Sequence, residues 1–379
     1  MPGMNQGAVR RVNTSVILRA LAVSAGPTKL TALAEHTGLS RRTIELILDS
    51  LVEAGWVGEL DRVPTSGCAG RPARRYELRA EHALLAAVRI NTMDVSAVVA
   101  DVRGRIVGRA GRPLRAYLDP RSVLDDAAAL VLEALDDAGG SVDRLRAGAV
   151  AAGGAIDDEG VVRRLVHTTR WEGVHLPDEL ARRVPGPWFA DNDSNLGALA
   201  ERWRGVAADH DNVVWAVLGN RTGLGILIRG AVHRGLEGAA GEIIEAVSLP
   251  TGSVADLPAS WLTSPEPARR QVALDRFAAA RDGDTGALAE VGELVENIAS
   301  ILTTLTWTVA PSLIVLGGGL EDAADVLLPR VRAALHAART PAVELAATGL
   351  GRDAPLVGAV KMALDRMDTE LFGPLGPGA

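Results

Sequence analysis

Ser40-Arg41-Arg42-Thr43 sets two hydroxyls and two guanidinium groups in four consecutive positions, and Arg71, Arg74 and Arg75 follow further along the chain. Guanidinium forks pair with phosphate and with the exposed edge of guanine, and hydroxyls serve as donor or acceptor to either. The chemistry on offer is contact with nucleic acid. It needs a scaffold that holds the four residues at the exposed start of a helix. Ile44, Ile47, Leu48 and Leu51 follow at i, i+3, i+4 and i+7, one apolar stripe for burial, and Ser40 is a favourable N-cap.

Upstream, Asn13-Thr14-Ser15 offers caps for a first helix with apolar Val16, Ile17, Ala20 and Leu21, which Gly26-Pro27 ends. A short helix over Leu30 to His36 leads into the turn Thr37-Gly38-Leu39. Helix, glycine-containing turn and helix make a helix-turn-helix. Trp56 to Leu60 and Arg74 to Leu78 read as two strands joined by a basic wing from Arg62 to Arg71-Pro72. In this arrangement Arg71 enters a minor groove and Arg74 or Arg75 pairs with phosphate. The later exposed positions of the third helix are Glu45, Asp49 and Glu53, which phosphate would repel, so only its N-terminal end approaches DNA. The alternative is a small helical interaction domain whose arginines are solvated.

The whole chain is 379 residues, 47% apolar, 3% aromatic and 23% charged, a globular composition of two or three domains. Its net charge of −7 excludes a polycation that coats nucleic acid without discrimination. Residues 1–80 hold eleven basic against seven acidic side chains, so a basic module is carried on an acidic body. Cys68 is the one cysteine, which excludes an intrachain disulfide and any multi-thiolate zinc or iron–sulfur site. Beside the wing it reads as an incidental small residue. The beginning of the sequence has no charged start followed by an apolar run and a cleavage site. Asn297 to Leu320 is uncharged, but Pro311 and Gly317-Gly318-Gly319 break it into a buried helix and a buried strand. A cytoplasmic protein without a membrane partner is expected.

From Leu84 onward, short β-type runs alternate with amphipathic helices. Leu84–Ile90, Val95–Ala100 and Ile106–Arg109 read as strands, with a hairpin turn over Asp101 to Gly104. A helix over Ser122 to Ala138 and a strand at Ala147–Ala152 follow. A second round has strands near Asn212–Leu218 and Gly225–Arg229, a long helix over Gly286–Thr308 and a strand at Leu313–Leu316. The repetition points to a duplicated α/β body with a cleft between its lobes.

Gly235-Leu236-Glu237-Gly238-Ala239-Ala240-Gly241-Glu242, preceded by Asp191-Asn192-Asp193 and Thr222-Gly223-Leu224-Gly225 and followed by Leu316-Gly317-Gly318-Gly319, resembles the ROK family of repressors and sugar kinases. The order and spacing of these motifs carry the resemblance, which extends over nearly the whole chain. It implies an α/β fold: an N-terminal winged helix-turn-helix plus a duplicated actin/hexokinase-like (ribonuclease-H-like) two-lobed domain. The divisions expected are 1–79 for DNA binding, 80–194 for the small lobe and 195–379 for the large lobe, with the C-terminal helix returning to the small lobe.

The departures from the family's kinase pattern point to its repressor branch. The resemblance implies an Asp-x-Gly-Gly-Thr phosphate loop after the first strand, and this chain has Arg89-Ile90-Asn91-Thr92-Met93, with arginine in place of the carboxylate. In the second phosphate loop Arg221 stands where the first glycine would fall, while Gly223 and Gly225 are kept. ATP binding is therefore expected to be lost or badly weakened, leaving no catalytic residues. Gly317 to Gly319 would line adenosine in a kinase; a tight strand-to-helix turn explains them equally well. Glu245 takes the place of the family's zinc-binding histidine, and no cysteine follows it, so neither metal nor cofactor is expected.

By the same resemblance, Asn192, Asp193 and Glu242 would hydrogen-bond a sugar, Asp193 at the position of the kinase base, with Glu245 and His167 shaping the pocket. The other reading of Asp191 to Ser194 is a turn that caps the following helix and satisfies itself internally. Trp171 either packs under a ligand ring or is a buried anchor. The expected partners are a double-stranded DNA operator and a sugar effector, with the chain a homodimer or homotetramer. Two other readings remain open at this point: a sugar kinase with an appended DNA-binding domain, and a regulator that needs no effector.

Overall fold

A computed structural model of the chain describes residues 6–60, 74–114, 117–166, 168–245 and 256–372. The first domain contains α1 (Gln6–Val23), β1 (Thr28–Lys29), α2 (Leu30–Thr37), α3 (Arg41–Glu53), β2 (Val57–Leu60) and β3 (Arg75–Leu78). The stripe expected on α3 is buried, and Ile44, Ile47, Leu48 and Leu51 share one core with Ile17, Leu21, Leu33 and Tyr76. Each large aliphatic side chain withdrawn from water in this way contributes about 1.5–3 kcal/mol. The strands form a small antiparallel sheet in the order β1-β3-β2.

Helix α1 corrects the expected cap: Asn13, Thr14 and Ser15 lie inside it rather than at its start. Thr14 Oγ1 donates to the Arg10 carbonyl at 2.8 Å, the back-bond that lets a hydroxyl residue sit within a helix. Ser15 is buried. The two-residue strand β1 carries too little periodicity to be read from sequence.

The small lobe follows as β4 (Leu84–Ile90), β5 (Asp94–Asp101), β6 (Ile106–Pro113), α4 (Pro120–Asp137), β7 (Leu145–Ala152), the hairpin β8 (Ala155–Ile156) and β9 (Val162–Arg164), α5 (Leu176–Ala181) and β10 (Trp188–Asn192). Next come α6 (Asp193–Arg204), β11 (Val213–Leu218), β12 (Thr222–Ile228), β13 (Ala231–Val232), α7 (Pro267–Arg281), α8 (Thr285–Thr308), β14 (Leu313–Leu316), α9 (Ala324–Ala337), β15 (Glu344–Ala347) and α10 (Ala354–Phe372).

The duplication is explicit in the sheets. One has the order β10-β7-β4-β5-β6, and the other, counted from its opposite edge, has the matching order β15-β14-β11-β12-β13. In each, the leading strand pairs antiparallel with the next strand and parallel with the strand returning after a helix. Leu84–Ile90 is buried almost throughout, as a strand covered on both faces must be. Among the described residues no helix is long and apolar enough to cross a membrane.

Two helices join the lobes. α6 leaves the small-lobe sheet and packs on β11 and β12, whereas α10 leaves the large-lobe sheet and packs on β4 and β7; the two helices pack on each other. Gly358 permits this approach, because a Cβ there would lie 1.9 Å from the Leu196 carbonyl oxygen. Residues of α10, including Val360 and Met367, belong to the same core as α1 and α3, so the first domain is seated on the body by apolar contact.

Candidate operator interface and interlobe cleft

Ser40 is the N-cap of α3: its side chain accepts from the Thr43 N–H at 3.1 Å, and the two hydroxyls pair at 2.8 Å. Both residues therefore shape the end of the helix. Arg41 and Arg42 stand exposed in the first turn, where the partial positive charge of the helix N-terminus reinforces theirs. Leu46, half exposed on the same helix, lies outside the buried stripe. Arg74 pairs with Glu59 at 3.1 Å on the neighbouring strand, and a hydrogen bond with Tyr76, then Glu59, raises its pKa. Arg75 is exposed on the central strand of the small sheet. Arg71 and Cys68 lie outside the described residues, as does the wing between β2 and β3.

In the body, Asn192, Asp193 and Glu242 line one cavity of about 320 Å³ between the lobes, together with Asn91, Tyr117 and Arg221. Asn192 ends β10 and caps α6, its Oδ1 accepting from the Ser194 and Asn195 N–H groups at 2.8 and 3.2 Å. Its Nδ2 donates to the Gly154 carbonyl and to Glu242 Oε1, each at 3.0 Å. These four bonds use the full capacity of a primary amide. Asn192 thus fixes the helix start and holds Glu242 while lining the cavity. The side chain of Glu245 and all of His167 lie outside the described residues.

Asp193, the first residue of α6, keeps little exposure, and its Oδ2 accepts from Arg221 Nη2 at 2.9 Å. Arg221 ends the β11–β12 turn, anchored by its own N–H, which donates to Thr263 Oγ1 at 2.9 Å. Gly223 and Gly225, which read as remnants of a phosphate loop, have a packing role here. A Cβ on Gly225 would fall 1.9 Å from the Ser194 carbonyl oxygen, so glycine lets β12 meet the first turn of α6.

The end of β4 and the turn after it are likewise bonded within the chain. Arg89 on β4 donates to Asp94 Oδ1 at 3.1 Å and to the Arg352 carbonyl at 2.8 Å. Asn91 closes the β4–β5 turn, accepting from the Met93 and Asp94 N–H groups and donating to Asp94 Oδ2. Gly318 and Gly319 take positive φ in the turn after β14, and a Cβ on Gly319 would meet the Leu262 carbonyl oxygen at 2.1 Å.

Asp191 with Arg234, and Tyr117, organise the cleft although the sequence assigned them no contact with a ligand, and Trp171 takes one of the two parts read for it. Asp191 is wholly buried and accepts two hydrogen bonds from Arg234 at Oδ2, 3.0 and 2.7 Å, while Oδ1 accepts from Asn195 Nδ2 and the Asn192 N–H. Burial pushes its carboxyl up and Arg234 opposes that. The pair ties the start of the Gly235–Gly241 segment to the end of β10. Tyr117 faces the cavity with its pKa pushed up to about 12, by burial first and then by Asp193, so it is a proton donor there. Trp171 is a buried anchor: its Nε1 donates to the Tyr117 carbonyl at 2.9 Å, and the rings lie 5.6 Å apart.

Comparison with known proteins places this geometry. The model of the ROK family matches residues 85–244 and 259–366, and that of the IclR helix-turn-helix domain matches residues 12–61. A xylose repressor of Bacillus spizizenii is 22% identical over 379 residues, covering 95% of this chain and 97% of its own length. A glucokinase of Thermotoga maritima is 27% identical over 253 residues, 58% of this chain and 79% of the enzyme. Among solved structures, a ROK family transcriptional regulator described as a homolog of the E. coli MLC protein superposes with a TM-score of 0.73 at 21% identity, over 96% of this chain and 98% of that one. The chain belongs to the ROK family, and it is built as that family's transcriptional regulators are, with a helix-turn-helix domain ahead of the two-lobed body.

Proposed function

We propose that the protein is a sequence-specific transcriptional repressor, acting in the cytoplasm as a homodimer or homotetramer on a double-stranded operator, with the interlobe cleft serving to sense a sugar-like effector rather than to phosphorylate one. One observation carries the reading: Asp193, at the position of the family's kinase base, is paired with Arg221, a residue that also displaces a phosphate-loop glycine. Beside this altered cleft, Arg41 and Arg42 remain exposed at the start of the recognition helix. The near full-length likeness to a xylose repressor supports the same reading.

Effector and operator sites have a physical link. Helix α6 begins in the cleft with Asp193 and ends at Arg202–Arg204. Arg204 Nη1 donates to the Gly104 carbonyl at 2.7 Å, and Trp203 packs where a Gly104 Cβ would stand. Arg103, in that same β5–β6 turn, donates to the carbonyls of Ala22 and Ser24 at 2.7 and 2.9 Å, bonding the C-terminal end of α1. A ligand that binds the closed and open cleft unequally thus biases the position of the DNA-binding domain. In a dimer this changes the spacing of paired recognition helices, which must match half-sites about one helical turn, or a multiple of it, apart.

The deciding experiment is a gel shift on the protein's own upstream region in moderate salt, paired with a coupled assay for ATP-dependent sugar phosphorylation. Sequence-selective retardation without phosphorylation is the expected result. Turnover at ordinary enzymatic speed, or no selective retardation, overturns the reading.

A further inference from the structure

Where the DNA-binding domain meets the body, a cavity of about 710 Å³ opens outside the interlobe cleft. Leu18 and Ala22 of α1 line it from the first domain, with Trp56 just ahead of β2. Trp203 at the end of α6, and Leu364 and Met367 of α10, line it from the body. Its volume falls in the roughly 300–1,000 Å³ range of small-molecule sites, which are mostly apolar with a few placed polar groups. Indole and aliphatic walls of this extent are unfavourable in contact with water, so the walls alone favour an apolar occupant.

The charged part of the lining has one dominant sign. Arg19, Arg103, Arg204 and Lys361 bring four cations against one carboxylate, Asp365, which pairs with Lys361. Arg103 Nη1 donates to the Ala22 and Ser24 carbonyls, and Arg204 donates to the Gly104 and Arg103 carbonyls. Neither of these two guanidinium groups pairs with a carboxylate among the described residues, although each has five N–H donors. The Arg204 guanidinium also lies over the Trp203 ring, 3.8 Å from its centroid, so charge and aromatic wall adjoin. A neutral apolar ligand would leave both cations without a counter-ion, and a small inorganic anion would leave the walls wet. An apolar molecule bearing one carboxylate answers both needs, through charge-assisted hydrogen bonds to donors that have no anion of their own.

We propose that this junction is a binding site for a hydrophobic carboxylic acid in its ionised form, its apolar body between α1 and α10 and its carboxylate at Arg103 and Arg204. The site is separate from the cleft and does not depend on what the cleft binds. Because its walls come from both domains, the acid binds the seated arrangement of the DNA-binding domain in preference to a parted one, and so stabilises the seat.

The test is calorimetry on the full chain, free of DNA, with octanoate, phenylacetate, their neutral amides and acetate as probes. Each apolar acid is expected to bind at least about tenfold more tightly than its amide and than acetate, and to raise the unfolding midpoint. Arg204→Met is expected to bring acid and amide within about twofold of each other while leaving the affinity for the amide unchanged, a split that a merely structural loss would not produce. Ala22→Phe, which fills the cavity from α1, is expected to weaken acid and amide alike by about tenfold or more. Should either variant fail to fold, the comparisons of acid with amide and with acetate on the unmodified chain decide. Equal affinity for acid and amide overturns the proposal, as does acetate binding as tightly as octanoate, which would mark an adventitious ion only. Acid binding that survives both variants places the acid elsewhere and overturns it too. Binding of no probe overturns the site and leaves the operator and cleft readings to their own experiments.

Discussion

Arg221 Nη2 lies 2.9 Å from Asp193 Oδ2, inside the cleft between the lobes. A carboxylate that is to take a proton from a sugar hydroxyl must offer that hydroxyl a free oxygen at hydrogen-bond distance. Here one oxygen is held by a guanidinium, and the other accepts from Ser194 Oγ at 3.3 Å. No glucose phosphorylation above background is expected in a coupled ATP assay, against the roughly 1–100 per second of working kinases. Arg221→Gly alone is expected not to restore it, because Arg89 still stands where the resemblance implies the carboxylate of the first phosphate loop. Restoration by that single change would sink the reading.

The helix-turn-helix was legible because it is local: the Ser40 cap, the stripe on α3 and the glycine turn all lie within a short window of sequence. The paired sheets were legible through their strand runs and their motif order. What escaped depends on contacts between distant segments. Asp191 and Arg234 are forty-three residues apart, and no periodicity announces that they share two hydrogen bonds. Arg221 was legible as a departure from a glycine, but its partner was not. The motif around Asn192 suggested both a ligand group and a cap, and the fold shows the capping bonds. Helix α1 was read too short because hydroxyl residues signal caps in sequence, and only the tertiary contacts of Ser15 make it an interior position.

The Asp191–Arg234 pair is the strongest stability forecast. Removing one partner of a buried, hydrogen-bonded pair leaves an uncompensated charge and costs about 3–5 kcal/mol. Asp191→Ala is expected to lower the urea unfolding free energy toward the lower end of that range, because Arg234 is partly exposed and keeps Asp158 at 3.5 Å. The double variant Asp191→Ala, Arg234→Ala is expected to fall short of the summed single effects, since the second change removes the stranded charge. Strict additivity would deny the coupling.

Tyr117 gives a pH signature. Its folded-state value, about 12, lies above the ordinary 10, because burial and Asp193 disfavour the phenolate. The neutral form is thus favoured in the folded state; the stability it confers is complete below pH 10 and is lost as pH rises toward 12. The chain has two tyrosines, Tyr76 and Tyr117. Absorbance at about 295 nm, where phenolate is read, is expected to be the same at pH 10 for the unmodified chain and Tyr117→Phe, and to diverge only at higher pH. A difference already developed at pH 10 would contradict the assignment.

At the proposed operator face, Arg41→Ala and Arg42→Ala separate two modes of contact. If the lost contact is to a base edge, affinity falls by about 1–3 kcal/mol with relaxed base choice; if it is to phosphate, the salt slope falls by about one. Fluorescence anisotropy across a salt series distinguishes them, and no change in either would remove the residue from the interface. Ser40→Ala is expected to act on the fold as well, costing about 0.5–2 kcal/mol in thermal or urea unfolding because the N-cap bond to Thr43 is lost.

Arg103 tests the link between cleft and operator domain. Its Nη1 bonds two carbonyls at the end of α1, and it adjoins Gly104, which receives Arg204 from the end of α6. Arg103→Ala is expected to leave effector affinity within about twofold of the unmodified chain, because the residue lies far from the cleft, while reducing the effector's influence on operator affinity severalfold, since allosteric coupling energies of 1–3 kcal/mol correspond to factors of about 5–150. Glu242→Ala is the complementary variant: operator affinity in the absence of effector is expected to stay intact while the effector response disappears. Calorimetry for the ligand and anisotropy for the operator, each measured with and without the other partner, give the coupling twice by independent routes. Thermodynamic reciprocity requires the two values to agree. If Arg103→Ala lowers effector affinity as much as Glu242→Ala does, or leaves the coupling unchanged, the route through α6 and the β5–β6 turn is wrong.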